Sequence, residues 1–180
     1  MQIDLFSEVY YDVETQLSAN EVGGWENIHL MRVSIAVSWS PLDGFRHWDE
    51  ASVPQFISYL SSFQRVFSFN GDRFDTQVLS RYGDVGELRR RSVDLFVDVS
   101  RKLGHRVSLD SLAQATLGIG KSADGLQALR WWREGRLDLI AMYCQQDVQA
   151  LVDLVNLARA NGFVRYVDKP DEIRSLVVHW

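Results

Sequence analysis

The chain has 180 residues, 46% of them hydrophobic and 24% charged, with a formal net charge of −5. That size and balance suit one folded domain with a sizeable core, and they exclude disordered and fibrous classes. No apolar run approaches the length that crosses a bilayer, the acidic start MQIDLFSEVYYDVET makes a poor secretory leader, and the single cysteine, Cys144, allows no internal disulfide, so a reducing cytoplasm is the expected location.

No repeat, low-complexity segment or Pro/Ser-rich linker interrupts the sequence, so residues 1–180 are expected to form a single domain. Leu5 to Glu14 is rich in aromatic and β-branched residues and reads as a strand. Ile28 to Trp39 reads as a second strand and Gly44 to Trp48 as a short third, and the turn-like links between them predict an antiparallel meander. Val53, Phe56, Ile57, Leu60 and Phe63 have helical spacing. Arg65 to Phe69 is a fourth strand, a helix follows from about Arg73, and Ser92 to Phe96 is a fifth strand. Beyond it the pattern is helical almost to the end, with segments starting near Ser108, Asp124 and Leu137 and with Gly118, Gly135 and Gly162 as stops. A strand meander followed by alternating strand and helix predicts an α/β fold, a mixed five-stranded sheet with helices on its faces.

The longest predicted helix carries the clearest anomaly. From Leu137 to Ala160 an apolar stripe runs through Ile140, Tyr143, Cys144, Val148, Leu151, Leu154, Val155 and Ala158, and Asp147 falls inside it. Asp147 stands four residues after Tyr143, so the two are neighbours on one helix face. A buried acid needs a partner. Taken alone, Asp147 is most simply a carboxylate paired with an arginine or a helix cap. Asp12 and Glu14, two apart on the first strand, point to the same sheet face about 7 Å apart and repel each other unless a cation lies between them. Taken alone, that pair could equally project into solvent. FNGDRFD, Phe69 to Asp75, follows a strand and sets Asp75 in the first turn of a helix, where the dipole favours an acid and where Asn70 could be a plain turn residue. Together the carboxylates Asp12, Glu14, Asp75 and Asp147 form a set of oxygen donors, in a chain without a cysteine or histidine cluster. Such a set selects Mg²⁺ or Mn²⁺ over zinc, and two such ions can activate water and stabilise the leaving oxygen of a phosphodiester. The negative net charge speaks against binding nucleic acid by phosphate neutralisation alone, but bound cations would reverse the local charge.

These motifs resemble the DnaQ-like, or DEDD, exonucleases of the RNase H-like superfamily. Asp12-Val13-Glu14-Thr15 is similar to the first motif, Asn70 through Phe74-Asp75 to the second, and Tyr143-Cys144-Gln145-Gln146-Asp147 to the third in its tyrosine (DEDDy) form. The histidine subgroup would need His where Met142 stands. Ser108-Leu109-Asp110-Ser111-Leu112-Ala113 followed by Leu117-Gly118 is similar to the proofreading exonuclease domain of family B DNA polymerases, and stand-alone relatives of that domain are the best match. The resemblance spans about residues 5 to 160. It implies a 3′–5′ exonuclease acting on single-stranded DNA or RNA 3′ ends, DNA favoured, with two divalent cations, Mg²⁺ or Mn²⁺, as cofactors. It implies that Asp12 bridges both ions, that Glu14 and Asp147 complete the inner shell, and that Asp75 holds one ion through water. Tyr143 would orient the attacking water, while Thr15, Asn70 and Phe74 would bind substrate. The acids and the middle of the sheet would then converge.

Other features have plainer readings. Gly118-Ile119-Gly120-Lys121-Ser122 fails as a P-loop because Ala115 replaces the needed glycine and no strand precedes it, so it reads as a turn after a helix. Arg89–Arg91 and the later Arg101, Lys102, His105 and Arg106 are either solvated surface or backbone contacts of a nuclease. Trp131 and Trp132 could stack bases or edge the core. Cys144 reads as a small buried filler, and the four histidines have no ligand spacing. Competing functions are an RNA-trimming exoribonuclease on the same fold and a non-catalytic nucleic-acid-binding or assembly module. Any helicase or polymerase partner would be a separate chain, and no membrane partner is expected.

Overall fold

The computed structural model describes residues 7–120, 125–169 and 172–180. Strands β1 (Glu8–Thr15), β2 (Val33–Ser40), β3 (Gly44–Trp48), β4 (Arg65–Ser68) and β5 (Ser92–Asp94) form one mixed sheet in the order β3-β2-β1-β4-β5. The first three pair antiparallel, and β4 and β5 add parallel to β1, as expected. Helices α1 (Val53–Ser61), α2 (Asp75–Leu79), α3 (Gly86–Arg90), α4 (Leu95–Leu103), α5 (Leu109–Leu117), α6 (Gly125–Arg133) and α7 (Leu137–Asn161) cover it, and a separate hairpin pairs β6 (Phe163–Lys169) with β7 (Glu172–Val177).

The period-two alternation of β1 divides the core. Val9, Tyr11 and Val13 face one hydrophobic cluster, built with Phe56, Ile57 and Leu60 of α1 and with Val78, Leu79 and Leu88. Tyr10 faces the other, which contains Ile140, Cys144, Val148, Leu151 and Val155 of α7 with Leu95 and Val99 of α4. Asp12 and Glu14 share the face of Tyr10, so both carboxylates are directed to the side that α7 covers. At the far end of β1, fully buried Glu8 accepts hydrogen bonds from Arg65 at 2.9 Å and from Arg159 at 2.8 and 2.9 Å, so its charge is compensated.

Several boundaries differ from the sequence reading. The expected second strand begins at Val33 and not at Ile28, because Trp25–Leu30 winds as a 3₁₀ helix. The pairing partner runs out there: Thr15 opposes Val33, past a bulge at Glu14/Thr15, and Arg32 turns the chain at a φ of 58°. The expected fifth strand Ser92–Phe96 stops at Asp94, whose side chain caps α4 by accepting from the Phe96 and Val97 N–H groups. The helix expected from about Arg73 begins at Asp75, and the one expected near Asp124 begins at Gly125 among the described residues; Asp124, Lys121, Ser122 and Leu5 lie outside them. The expected helical character "almost to the end" stops at Asn161, where Gly162 at a φ of 80° closes α7 in a left-handed cap and the β6–β7 hairpin follows. Gly118 likewise caps α5 in a left-handed conformation, and the Lys121 and Ser122 part of the segment read as a turn lies outside the described residues.

Candidate active site

Asp12 and Glu14 come from the central strand β1, and Asp147 from the α7 face packed against it. Single carboxylate oxygens of the three lie within 4.8 Å of one another. That separation is short for like charges in a partly buried place, and their titration reflects it. Burial pushes the Asp12 carboxyl up to about 6, opposed by hydrogen bonds from the Cys144 thiol and the Val13 N–H. Burial, followed by the charges of Asp12, Asp147 and Asp75, raises Glu14 well above the carboxylate range. Removing ions from such a cluster favours protons; supplying a cation favours the carboxylates.

Asp75 stands behind this triad at the first residue of α2. It is 3% exposed, its Oδ1 has no hydrogen-bond partner within the protein, and burial and the charge of Asp12 raise its pKa. A buried carboxyl oxygen without a partner, beside three converging carboxylates, fits residues built to hold a divalent cation and its water, and an all-oxygen donor set suits Mg²⁺ or Mn²⁺. The triad could therefore bind a metal, and Asp75 is not among the three whose oxygens meet within 4.8 Å.

The turn that carries Asp75 depends on close packing. Asn70 adopts a φ of 66°, which asparagine tolerates better than most residues. A Cβ on Gly71 would lie 2.3 Å from Ser68 Oγ and 2.9 Å from the Tyr11 hydroxyl, so only glycine fits. Asp94 accepts the Asn70 N–H at 2.8 Å and the Asp72 N–H at 3.0 Å, which ties this turn to the start of α4. The sequence reading missed Asp94. An acid directly before an apolar helical stretch was the available signal.

Two clefts reach Asp12. The larger, about 520 Å³, has Asp12, Glu14 and Asp75 with Phe74, Trp25 and Leu126 among its walls. Trp25 and Leu126 are 68% and 67% exposed, and the Trp25 ring meets Phe74 edge-on at 6.4 Å. Neither Trp25 nor Leu126 was singled out from sequence, where nothing marked them. Thr15 also lines this cleft, but its hydroxyl donates to the Leu17 carbonyl at 3.0 Å. The second cleft, about 390 Å³, runs from Asp12 and Asp147 past Asn70 to Arg106. Tyr143 lies one turn before Asp147, its ring edge-on to Trp131 at 6.4 Å. Burial, then the charges of Asp147, Glu14 and Asp12, pushes its hydroxyl far above the ordinary phenol value, so it stays protonated. Cys144 is buried, donating its thiol to Asp12 Oδ2 at 3.3 Å. It is a filler that also steadies a carboxylate.

A family model described as the RNase_H superfamily matches residues 9–159, which include every one of these acids. The chain belongs to the RNase H superfamily. The superfamily expected from the three motifs is thereby shown, and with it the RNase H-like sheet flanked by helices. Among solved structures, this RNase H-like chain is similar to the family B DNA polymerase of the archaeon Pyrobaculum calidifontis, with a TM-score of 0.63 at 16% identity over 84% of this chain and 24% of the polymerase. It is also similar to Trypanosoma brucei RNase D, with a TM-score of 0.55 at 14% identity over 92% of this chain and 59% of that one. The chain thus spans about a quarter of the polymerase and three-fifths of RNase D, and the likeness shows the fold. No curated protein matches the chain by sequence. No helix among the described residues is long and apolar enough to cross a membrane.

Proposed function

We propose that the chain is a metal-dependent 3′–5′ exonuclease that releases nucleotides from single-stranded nucleic acid, DNA favoured. The observation that carries this reading is the meeting of Asp12, Glu14 and Asp147 within 4.8 Å, with buried Asp75 behind them. A protein that only bound nucleic acid would gain nothing from mutually repelling carboxylates at the centre of its sheet. That weighs against the assembly-module alternative. Likeness to a DNA polymerase favours a DNA substrate and likeness to RNase D an RNA one, so the exoribonuclease reading stands as the alternative.

In this reading Asp12, Glu14 and Asp147 would hold two divalent cations, Mg²⁺ or Mn²⁺, with Asp75 acting through water. Bound there, the ions would supply Lewis acidity and neutralise charge at the scissile phosphate. The chain's own residues do the rest. Trp25, Phe74 and Leu126 offer apolar walls for the terminal base, with Thr15 and Asn70 at the edges of the site. Tyr143, held protonated, hydrogen-bonds the attacking water and fixes its line of approach; it does not take the proton. Residues 1–180 act as one nuclease domain, a view supported by Val164, Tyr166, Val178 and Trp180 joining the same hydrophobic cluster as α7. A cytoplasmic location and a separate helicase or polymerase partner complete the proposal. End-labelled single-stranded DNA and RNA, each with Mg²⁺, Mn²⁺ or EDTA, test it: metal-dependent shortening from the 3′ end that Asp12→Ala abolishes is expected. No shortening of either polymer, or equal shortening by Asp12→Ala, overturns it.

A further inference from the structure

We propose that Arg106 binds a backbone phosphate of the substrate strand upstream of the scissile bond, and so sets the path by which the strand leaves the site. The inference rests on the nuclease reading above and adds the exit route and a strand-positioning residue.

The clefts that reach the carboxylates are short of positive charge. The wide cleft beside Trp25 has no basic side chain among its described lining residues, nor does a third cleft that opens from Asp147 along α5 and α7. Among the described residues, Arg106 is the one basic side chain lining the cleft that runs from Asp12 and Asp147 past Asn70. It is exposed and has no ion-pair partner among the described residues. Its neighbours in sequence differ. Lys102 is committed to Asp98 at 2.8 Å, and Arg101 lines another cleft with Asp72, Asp94 and Asp98. Arg91 is tied to the Ser61 and Phe63 carbonyls. Of the basic run noted in the sequence, Arg90, Arg91 and Lys102 are committed to protein partners, and among the described residues Arg106 is the member that lines a cleft reaching Asp12 and Asp147.

Arg106 is also held in place. Its guanidinium carbon lies 5.1 Å from the centroid of the buried Phe96 ring, which itself packs edge-on against Phe69 at 5.6 Å. Phe69 lines both clefts that touch Asp12. A planar guanidinium resting on an aromatic face keeps its N–H fork directed outward, the geometry that takes a phosphate. If the terminal base occupies the apolar cleft on the Trp25 side, the chain leaves on the other side of Asp12 and Asp147. There Arg106 is the basic side chain among the described lining residues, in the same cleft as Asp12 and Asp147. One such contact in a single strand changes the slope of log K against log salt by about 0.7, which at 0.1 M salt is about fivefold in affinity.

The test uses the full chain and a fluorescent single strand whose 3′-terminal linkage is a methylphosphonate, which is uncharged and is not cut. Anisotropy titrations in Mg²⁺ across a salt series compare wild type, Arg106→Ala, Arg106→Lys and, as a control, Arg101→Ala. Melting curves establish that each variant is folded. Arg106→Ala is expected to bind about fivefold more weakly at 0.1 M salt, to the same degree for all base sequences, with a salt slope smaller by about 0.7. Arg106→Lys should keep the slope, and Arg101→Ala should match wild type. With a cleavable strand the same difference should appear in KM and its salt dependence, with kcat little changed. Wild-type affinity, slope and KM in Arg106→Ala, in a protein that does shorten strands, would overturn this inference and leave the nuclease reading standing. A wild type that neither binds nor shortens strands would overturn the nuclease reading itself.

Discussion

Replacing Asp94 with alanine should cost both stability and activity, although Asp94 is none of the converging acids. Its carboxylate accepts hydrogen bonds from Asn70, Asp72, Phe96 and Val97 N–H groups at 2.8 to 3.3 Å, and it is 8% exposed. Losing the cap of α4 costs about 1 kcal/mol. Leaving the Asn70 and Asp72 N–H groups short of a charged acceptor costs about 1.5 kcal/mol each. The sum, about 4 kcal/mol, is a large share of the ~5–15 kcal/mol that holds a typical domain. With a slope near 2 kcal/mol per molar, the urea midpoint should fall by about 2 M. Asp94→Asn keeps an oxygen for the cap but turns an amide donor towards one of the turn N–H groups, so it should fall between. Activity should drop by about tenfold or more at temperatures where the variant is still folded, because the 70–75 turn carries Asn70, Phe74 and Asp75. Mn²⁺ binding at Asp12, Glu14 and Asp147 should persist. Urea melts followed by tryptophan fluorescence, with single-turnover cleavage on the same samples, decide it. A midpoint shift corresponding to less than about 1 kcal/mol would show that water replaces Asp94 at no cost and would refute the reasoning.

Mn²⁺ at about a hundred times its dissociation constant should stabilise the wild type by about 2.7 kcal/mol in thermal melts, and Asp12→Ala should lose that response. In the metal-free protein Asp12→Ala should melt at or above the wild-type temperature, since one of several repelling carboxylates is gone. Its nuclease activity should fall by several orders of magnitude, and wild-type cleavage would assign the activity elsewhere. Tyr143→Phe keeps the ring beside Trp131 and removes the hydroxyl, so kcat should fall about ten- to a thousandfold with the Mn²⁺ stabilisation intact; unchanged single-turnover release of 3′ nucleotides would make Tyr143 a packing residue only. Glu50 is held down to about 2 from an ordinary 4.5 by Arg32, with Tyr82 and Gln16 adding hydrogen bonds. A depressed carboxyl contributes stability that is present above the unfolded value and lost as pH falls through the folded one. Glu50→Gln should therefore flatten the loss of stability between pH 4.5 and 2, and an unchanged acid limb in urea melts at several pH values would remove Glu50 from it.

What was legible in the sequence follows from how locally each feature is determined. Asp12 and Glu14 sit two apart on a strand, and Asp147 sits inside an apolar helical stripe, so periodicity put the first two on one common face, buried or solvent-facing, and the third on an apolar one. That those faces meet is a property of the sheet order, which places β1 between β2 and β4 and packs α7 across it. No local pattern encodes that order; the family resemblance supplied it. The second strand was drawn too long because Ile28–Met31 is as apolar as a strand, while its true start is set by where β1 stops offering hydrogen bonds. The hairpin at 163–177 was hidden for a related reason: FVRYVDK alternates only weakly, and Val164 and Tyr166 are buried because α5 and α7 lie against them. Asp94 and Arg106 are instructive opposites. Asp94 was overlooked because its partners lie 22 and 24 residues upstream, and Arg106 was noticed but not separable from Arg101 and Lys102, which share its charge and neighbourhood in sequence. Only packing distinguishes them, since the ring of Phe96 lies under one guanidinium and the carboxylate of Asp98 beside the ammonium of Lys102. Residue type thus announced the chemistry of the acids, whereas the placing of the cation that could complement them depended on tertiary contacts between the turn after β4, α4 and the loop before α5.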